Sequence, residues 1–395
     1  MILPMPGVLD RTARDRLTDL CLRQGIDILI VSCPRNLYYT LGYSPFDSVI
    51  ESGVRALAIV PCDGRESVLI MPRADAGVLA DFPVTADLLS FYGSFYLEGE
   101  HRFSAPEVLC SARTMEEAFA KSFQHVKVAG GNVGIEFDTF PYRLQSVLGE
   151  AIGGATIVDA GPPLRRARAI KSDAEIARLR ASVSATSEVL DAVPEWLRVG
   201  LTERQVASRV AQELLERDLE PIYVLVGSGS RSGFGNFPPS DRVIGAGENV
   251  LIDASGRYGG YHSDLGRSYV IGAIADDEFG KMYGAVRFGL EEAIAMVRPG
   301  VAASAVFEAA VNGVRAAGIP GFRRHHVGHG IGLQAHEWPS LRADSTDELE
   351  LGMVLAVEVP YYIGGSVGFT PEDIVLVTET GCERLSHCPE SVPHV

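Results

Sequence analysis

Val250-Leu251-Ile252-Asp253-Ala254-Ser255-Gly256-Arg257-Tyr258-Gly259-Gly260-Tyr261-His262-Ser263-Asp264 reads as an apolar strand, a glycine turn and a returning strand, with a carboxylate on each arm. The midpoint between Asp253 and Asp264 falls between Tyr258 and Gly259, so a reversal there makes the two acids cross-strand neighbours on one face. Like charges so placed repel unless something neutralises them, and a cation is the obvious candidate. The arrangement recurs downstream. Glu358 follows Met353-Val354-Leu355-Ala356-Val357, Glu372 precedes Ile374-Val375-Leu376-Val377, and their midpoint is Gly365, inside Gly364-Gly365-Ser366. A carboxylate inside an apolar strand is costly. Two such pairs in two equivalent hairpins are hard to explain without metal.

A fifth ligand comes from His325-His326-Val327-Gly328-His329-Gly330-Ile331-Gly332, where glycines let the backbone pass close to a site. His329, with glycine on both sides, is the best candidate for a single nitrogen ligand. Four carboxylates and one imidazole form a hard, oxygen-rich set. It suits two divalent ions, manganese first, with cobalt, zinc or iron as alternatives, better than a structural zinc. No rival nucleophile motif is present, neither Gly-x-Ser-x-Gly nor a Walker loop.

Working outward, the first 160 residues alternate strand-like and helix-like segments, with strands expected at Ile26–Ser32, Arg55–Val60 and Ser67–Met71. Phe91-Tyr92-Gly93-Ser94-Phe95-Tyr96 reads as an aromatic surface loop, or else a flap over an active site, and it needs something to cover it. A boundary falls near Asp159 to Arg168. Gly161-Pro162-Pro163 breaks structure there, and Arg165, Arg166 and Arg168 read as a solvated linker. Ser172-x-x-Glu175 then caps a helix whose stripe is Ile176, Leu179, Val183, Thr186, Leu190 and Val193, and Thr202-x-x-Gln205 caps a second. A hairpin over Asn249–Gly272 follows, then helices over Asp277–Val297 and Ser304–Ala317, then a hairpin over Gly352–Thr378. The order helix, helix, hairpin occurs twice, about one hundred residues apart, without evident residue identity. The expected architecture is an α/β domain over residues 1–160 and a duplicated α+β domain over 161–395, with both hairpins in one curved sheet.

Lys plus Arg total 35 against 51 Asp plus Glu, a net charge of −16 that disfavours nucleic acid and anionic membrane surfaces as partners. The longest apolar runs are too short to span a bilayer. Met1–Asp10 lacks a basic segment ahead of an apolar one, so a cytoplasmic location is expected. The six cysteines are scattered and read as buried thiols, not disulfides. Cys382, His387, Cys388 and His394 match no common zinc spacing and read as a mobile C-terminus.

The segments Asp253-Ala254-Ser255, Gly260-Tyr261-His262-Ser263-Asp264, Gly328-His329-Gly330-Ile331-Gly332, Gly352 through Glu358 and Glu372-Asp373 resemble the M24 pita-bread metallopeptidase superfamily, in its Xaa-Pro dipeptidase, aminopeptidase P and creatinase branch. The resemblance is strong over Lys171–Leu385. It implies a pita-bread catalytic domain with pseudo-two-fold duplication, a homodimer, and a metal-bridging hydroxide that cleaves an amide C–N bond. By this resemblance Asp253 holds one metal, His329 and Glu358 the second, and Asp264 and Glu372 bridge. Glu358 also handles the proton of the attacking water. His336 contacts the scissile group and His325 lines the same pocket. Two positions depart from the proline-cleaving pattern. Asn236 stands where a histidine is usual, and Thr370 where an arginine often is. Asn cannot take a proton and Thr offers no charge to a substrate carboxylate. The expected function is therefore Xaa-Pro peptide cleavage. The alternatives are metal-dependent hydrolysis of a small non-peptide metabolite, or a non-catalytic binding module, which the intact ligand set argues against.

Overall fold

The structure, a computed structural model, describes residues 11–45, 53–96, 106–127, 131–273 and 277–395; Met1–Asp10, on which the expected cytoplasmic location rests, lie outside them. Two compact units divide at Arg168 and Ala169.

In the first unit, helix α1 (Arg11–Arg23) leads into β1 (Ile26–Val31), whose residues are almost all buried, as a strand covered on both faces requires. After α2 (Pro34–Leu41), β2 (Leu57–Pro61) and β3 (Val68–Pro72) continue antiparallel from β1. These are the three expected strands, displaced at their ends by one or two residues. A short α3 (Val78–Asp81) precedes β4 (Leu88–Tyr92) and β5 (Glu107–Ala112). Then come α4 (Met115–Val126), β6 (Asn132–Ile135), α5 (Gln145–Ala151) and β7 (Thr156–Asp159). The sheet order is β5-β4-β3-β2-β1-β6-β7, with Phe119 and Phe123 of α4 in its core. The aromatic stretch is only partly a loop. Phe91 is buried and Tyr92 ends β4, while Phe95 and Tyr96 are exposed.

The basic cluster is not a solvated linker. It lies in α6 (Gly161–Ala169), where Arg165 is exposed but Arg168 is buried. The Arg168 Nη1 donates to Asn36 Oδ1 at 2.8 Å. Asn36 Nδ2 donates to Glu136, which also accepts from the backbone N–H groups of Ser32 and Cys33. Composition shows the charges, but only the tertiary fold shows a buried acceptor for one of them.

The second unit opens with α7 (Asp173–Asp191) and α8 (Glu203–Leu215), each closed by the expected reciprocal capping box at Ser172–Glu175 and Thr202–Gln205. Strands β8 (Glu220–Ser228), β9 (Asn249–Tyr258), β10 (Tyr261–His262) and β11 (Leu265–Val270) form one sheet around β9. After α9 (Asp277–Met296) and α10 (Ala303–Ala316) come β12 (Gly328–Gly330), β13 (Glu337–Ser340), β14 (Val354–Glu358), β15 (Tyr361–Ile363), β16 (Val367–Phe369), β17 (Glu372–Val377) and β18 (Cys382–Arg384). The second sheet has the order β13-β12-β14-β17-β18, while β15 and β16 form the hairpin tip. Among the described residues no helix is long and apolar enough to cross a membrane.

The duplication carries residue identity after all. Gly200 and Gly300 both have positive φ, and both donate across to the segments leading into β9 and β14, at Ile244 O and Leu349 O. Gly247 and Gly352 are 105 residues apart, again both at positive φ, and so are Asp253 and Glu358 at the ends of their apolar runs. These matches are single residues inside dissimilar sequence.

Two expectations about the hairpins need correction. The first turn is centred on Gly259-Gly260, both at positive φ, and Asp253 pairs with Gly266, not Asp264. The register slips by two residues, which preserves the face because side chains alternate with period two. The hairpins also lie in two sheets without a shared ladder. Their edges meet where Gly266 N donates to Glu372 Oε2 at 2.8 Å and Arg267 Nη1 donates to Glu372 O at 2.6 Å. A Cβ on Gly266 would lie 2.6 Å from Thr370 O, so only glycine allows this approach. The second hairpin has the expected register, with Glu358 opposite Glu372.

The C-terminus is ordered. Val270 N and Gly272 N donate to Pro393 O and Val395 O, and Cys388 is buried beside Tyr283 Oη. The six cysteines are free thiols, four of them buried. Gly266→Ala is expected to destabilise the protein by about 1–3 kcal/mol by forcing β11 and β17 apart. A wild-type urea midpoint in that variant would show that the contact is not needed.

Candidate active site

Asp253 ends the apolar run of β9, Asp264 directly precedes β11, Glu358 ends β14 and Glu372 begins β17. Because the two sheets meet at Gly266 and Glu372, all four acids face one cavity of about 310 Å³. His329 projects into it from β12, the strand beside β14. Single oxygens of Asp253, Asp264 and Glu372 lie within 4.8 Å of one another, and Asp264, His329 and His336 do the same.

The chemistry of each group follows from its partners. His329 Nδ1 lies 3.0 Å from Gly330 O, an interaction that requires the proton on Nδ1 and leaves the Nε2 lone pair directed into the cavity. Nε2 is 3.7 Å from Asp264 Oδ2. Burial holds the His329 pKa down to about 3, so the ring is neutral at physiological pH. The Tyr223 hydroxyl donates to Asp264 Oδ1. Glu358 Oε1 is 3.2 Å from His326 Nδ1. Asp253 Oδ1 is buried and, among the described residues, has no hydrogen-bond partner.

Removal from water pushes all four carboxyl groups above the ordinary range, and their mutual repulsion adds to this. Asp253 rises to about 8 and Glu358 to about 7. Among the described residues no Lys or Arg makes an ion pair with any of the four. An orphaned carboxylate oxygen, three neighbouring acids without a Lys or Arg ion pair among the described residues and a neutral imidazole with an open lone pair fit a pair of divalent cations.

The other sequence candidates divide. His336 is exposed, lines the cavity and stacks on His329 at 3.8 Å between centroids. His325 also lines it, exposed, with Asn236, which has a left-handed backbone at φ 54°. Thr370 does not line the cavity. It is buried, and its hydroxyl lies 3.1 Å from Tyr362 Oη. Tyr223, Arg324, His326 and Tyr362 line the cavity and were not anticipated. Tyr223 stands opposite Ser255 in the β8–β9 ladder, two positions from Asp253 on the same face, a relation that only a known pairing of β8 could supply.

An α/β unit followed by a duplicated α+β unit, with paired acids and one imidazole at the junction of its hairpins, defines a metal-dependent hydrolase. Residues 177–379 match metallopeptidase family M24, and residues 14–170 match the creatinase/prolidase N-terminal domain. The chain belongs to metallopeptidase family M24. It is 36% identical over 257 residues to the probable dipeptidase PepE of Mycobacterium tuberculosis, covering 65% of this chain and 68% of that one. The crystal structure of dipeptidase PepE from Mycobacterium ulcerans superposes with a TM-score of 0.80 at 26% identity, covering 99% of both chains. The fold is also that of the Xaa-Pro dipeptidase from Bacillus anthracis, with a TM-score of 0.81 at 22% identity over 98% of this chain and 99% of that one.

The raised carboxyl pKa values make folding of the metal-free protein take up protons between about pH 4 and pH 8. Stability from this source is complete below the unfolded pKa and is lost as pH rises through the folded one. The melting temperature of chelator-treated protein should therefore fall across this window, more steeply than in Asp253→Asn. Loading with divalent cation should flatten the fall. Parallel profiles for wild type and Asp253→Asn would remove the electrostatic account.

Proposed function

We propose that this chain is a dinuclear-metal amide hydrolase acting on Xaa-Pro or similar short peptides. The reading rests on one observation: five candidate ligands, Asp253, Asp264, His329, Glu358 and Glu372, converge on a single cavity without a Lys or Arg ion pair. Asp253 would hold one ion and His329 and Glu358 the second, while Asp264, which belongs to both groups of neighbouring ligand atoms, and Glu372 would be shared between them. Manganese is the first choice of ion, with cobalt, zinc or iron as alternatives. Two such ions would lower the pKa of a shared water and polarise the scissile carbonyl.

The residues of the chain supply the rest. Glu358, beside the ions, would take the proton of the attacking water and return it to the leaving nitrogen. Its contact with His326 restricts its orientation. His336, stacked on His329 and open to solvent, reaches the scissile group, with His325 and Asn236 at the rim. The relatives named as dipeptidases support a peptide substrate. Asn236 in place of the usual histidine is the observation that favours a second reading, a small non-peptide amide.

The test is to strip the protein of metal, reload it and assay Xaa-Pro dipeptides and tripeptides beside non-proline controls. Metal-dependent cleavage before proline is expected. Two bound ions per chain without peptide turnover would transfer the assignment to a small-metabolite amide. Glu358→Gln should lower kcat by roughly 100- to 10,000-fold, the range for loss of a general base. Asp264→Ala and Glu372→Ala should lose metal and activity together, and full activity in either would overturn the bridging roles.

A homodimer is also part of this reading, supported by the exposed Phe95 and Tyr96 of the first unit. Sedimentation equilibrium at micromolar concentration should give twice the chain mass. A monomer there would end the idea.

A further inference from the structure

His336 lines the cavity, yet its side chain is 66% exposed. Its ring stacks on His329 and approaches Asp264 Oδ2 at 3.8 Å. A ring so open is not located by close packing, so its place is set by the backbone of the loop 331–336, between β12 and β13.

That loop is built around the carboxylate of the next residue, Glu337, which begins β13 and does not itself line the cavity. Glu337 Oε1 accepts from Gln334 N at 3.2 Å. A Cβ on Gly332 would lie 2.8 Å from Glu337 Oε2, so the chain closes directly on the carboxylate. Lys171 Nζ donates to Oε2 at 3.4 Å. The two charged side chains are 1% and 3% exposed. Burying such a pair is costly, and apolar side chains of similar volume would hold the space at least as well. What they lack is direction, an acceptor aimed at the Gln334 N–H and a fixed partner for that acceptor.

Lys171 is fixed in turn. Its backbone N–H donates to Gly352 O at 2.9 Å, its ammonium also donates to Ala169 O at 3.2 Å, and Ile170 bridges Met353. Met353 directly precedes β14, the strand that ends at Glu358. The ion pair therefore ties the loop that ends in His336 to the entry of the strand that carries Glu358.

We propose that the buried Lys171–Glu337 pair is a positioning device that holds His336 in place against Glu358, so that one bound substrate meets both. The catalytic consequence rests on the peptide-hydrolase reading; the placement of the ring does not. Lys171→Met combined with Glu337→Ala removes both charges and leaves neither buried alone. Glu337→Gln keeps the shape and an acceptor for Gln334, and carries the same test if the double variant does not fold. Histidine-ring NMR of zinc-loaded protein reads the placement, with the His336 signal identified by its loss in His336→Ala. That signal should move toward the position of an exposed histidine in the double variant, as the stack on His329 opens, and by a smaller step in Glu337→Gln. Peptide assays read the consequence. The double variant should lose about 100-fold in kcat/KM, the cost of a misplacement of roughly 1 Å, chiefly through kcat and with two ions per chain retained. Glu337→Gln should lose about 10-fold, the weight of one charge-assisted bond. In a His336→Ala background the same changes should cost little more, since nothing is left to position. A ring signal that stays in place in both variants, or an equal loss of activity with and without His336, would overturn the proposal. A displaced ring signal in a protein that cleaves no peptide even as wild type would leave the positioning role standing and reject the peptidase reading.

Discussion

Repulsion among four carboxylates is the constraint on which the second unit is built. Two charges 4 Å apart interact by about 4 kcal/mol at an effective dielectric near 20, and burial adds the cost of lost hydration. Three acids with oxygens inside 4.8 Å of one another can remain ionised only if a counter-charge sits among them. Neighbouring features follow from that need. Glycine at 266 lets β11 come close enough to β17 for a backbone N–H to reach Glu372. The His329 tautomer is fixed so that a lone pair, not a proton, faces the acids. Tyr223 adds a hydroxyl donor to Asp264 without adding charge.

The duplicated chain assembles this cluster, and then breaks its own symmetry. Asp253 and Glu358 occupy matching places in the two halves. Their ladder partners, Gly266 and Glu372, do not match: one half contributes an N–H and the other the carboxylate that accepts it. The imidazole is likewise found in only one half. His329 pairs with Ala356, and the corresponding partner of Leu251 is Gly227, where a Cβ would lie 2.7 Å from the Phe237 ring. One half uses that position for packing and the other for a ligand.

Much of this could be read in the sequence because apolar strands that end in acids are expensive and therefore informative. The hairpins, both capping boxes and the gathering of five ligand candidates follow from residue type and spacing. The first register could not be read, since Tyr258-Gly259-Gly260 permits more than one reversal and only the structure shows the two-residue turn. Parity protected the conclusion, because a shift of two leaves every side chain on its face. Arg324, His326 and Tyr223 remained hidden for a different reason. Their direction depends on which strand lies beside them, and no local pattern encodes that. Arg168 was misjudged on the same ground, as its acceptor Asn36 is 132 residues away.

Glu372 and Asp373 are adjacent acids with opposite treatment, and the contrast separates structural charge from chemical charge. Asp373, fully buried, is met by Arg267 at 3.5 Å, by Arg384 at 3.1 Å and by the Ser386 hydroxyl at 2.9 Å. Arg384 also pairs with Glu291, so that the charge behind the strand is balanced within the chain. Glu372, on the cavity side, receives only the Gly266 N–H at its carboxylate, and Asp253 Oδ1 receives nothing. The same fold that gives one buried acid two arginine ion pairs gives, among the described residues, none to its neighbour or to the three acids facing it, although Arg324 lines their cavity. An arginine there would occupy the space and the lone pairs that a small divalent ion needs, whereas a buried acid with no chemical task has no reason to lack one.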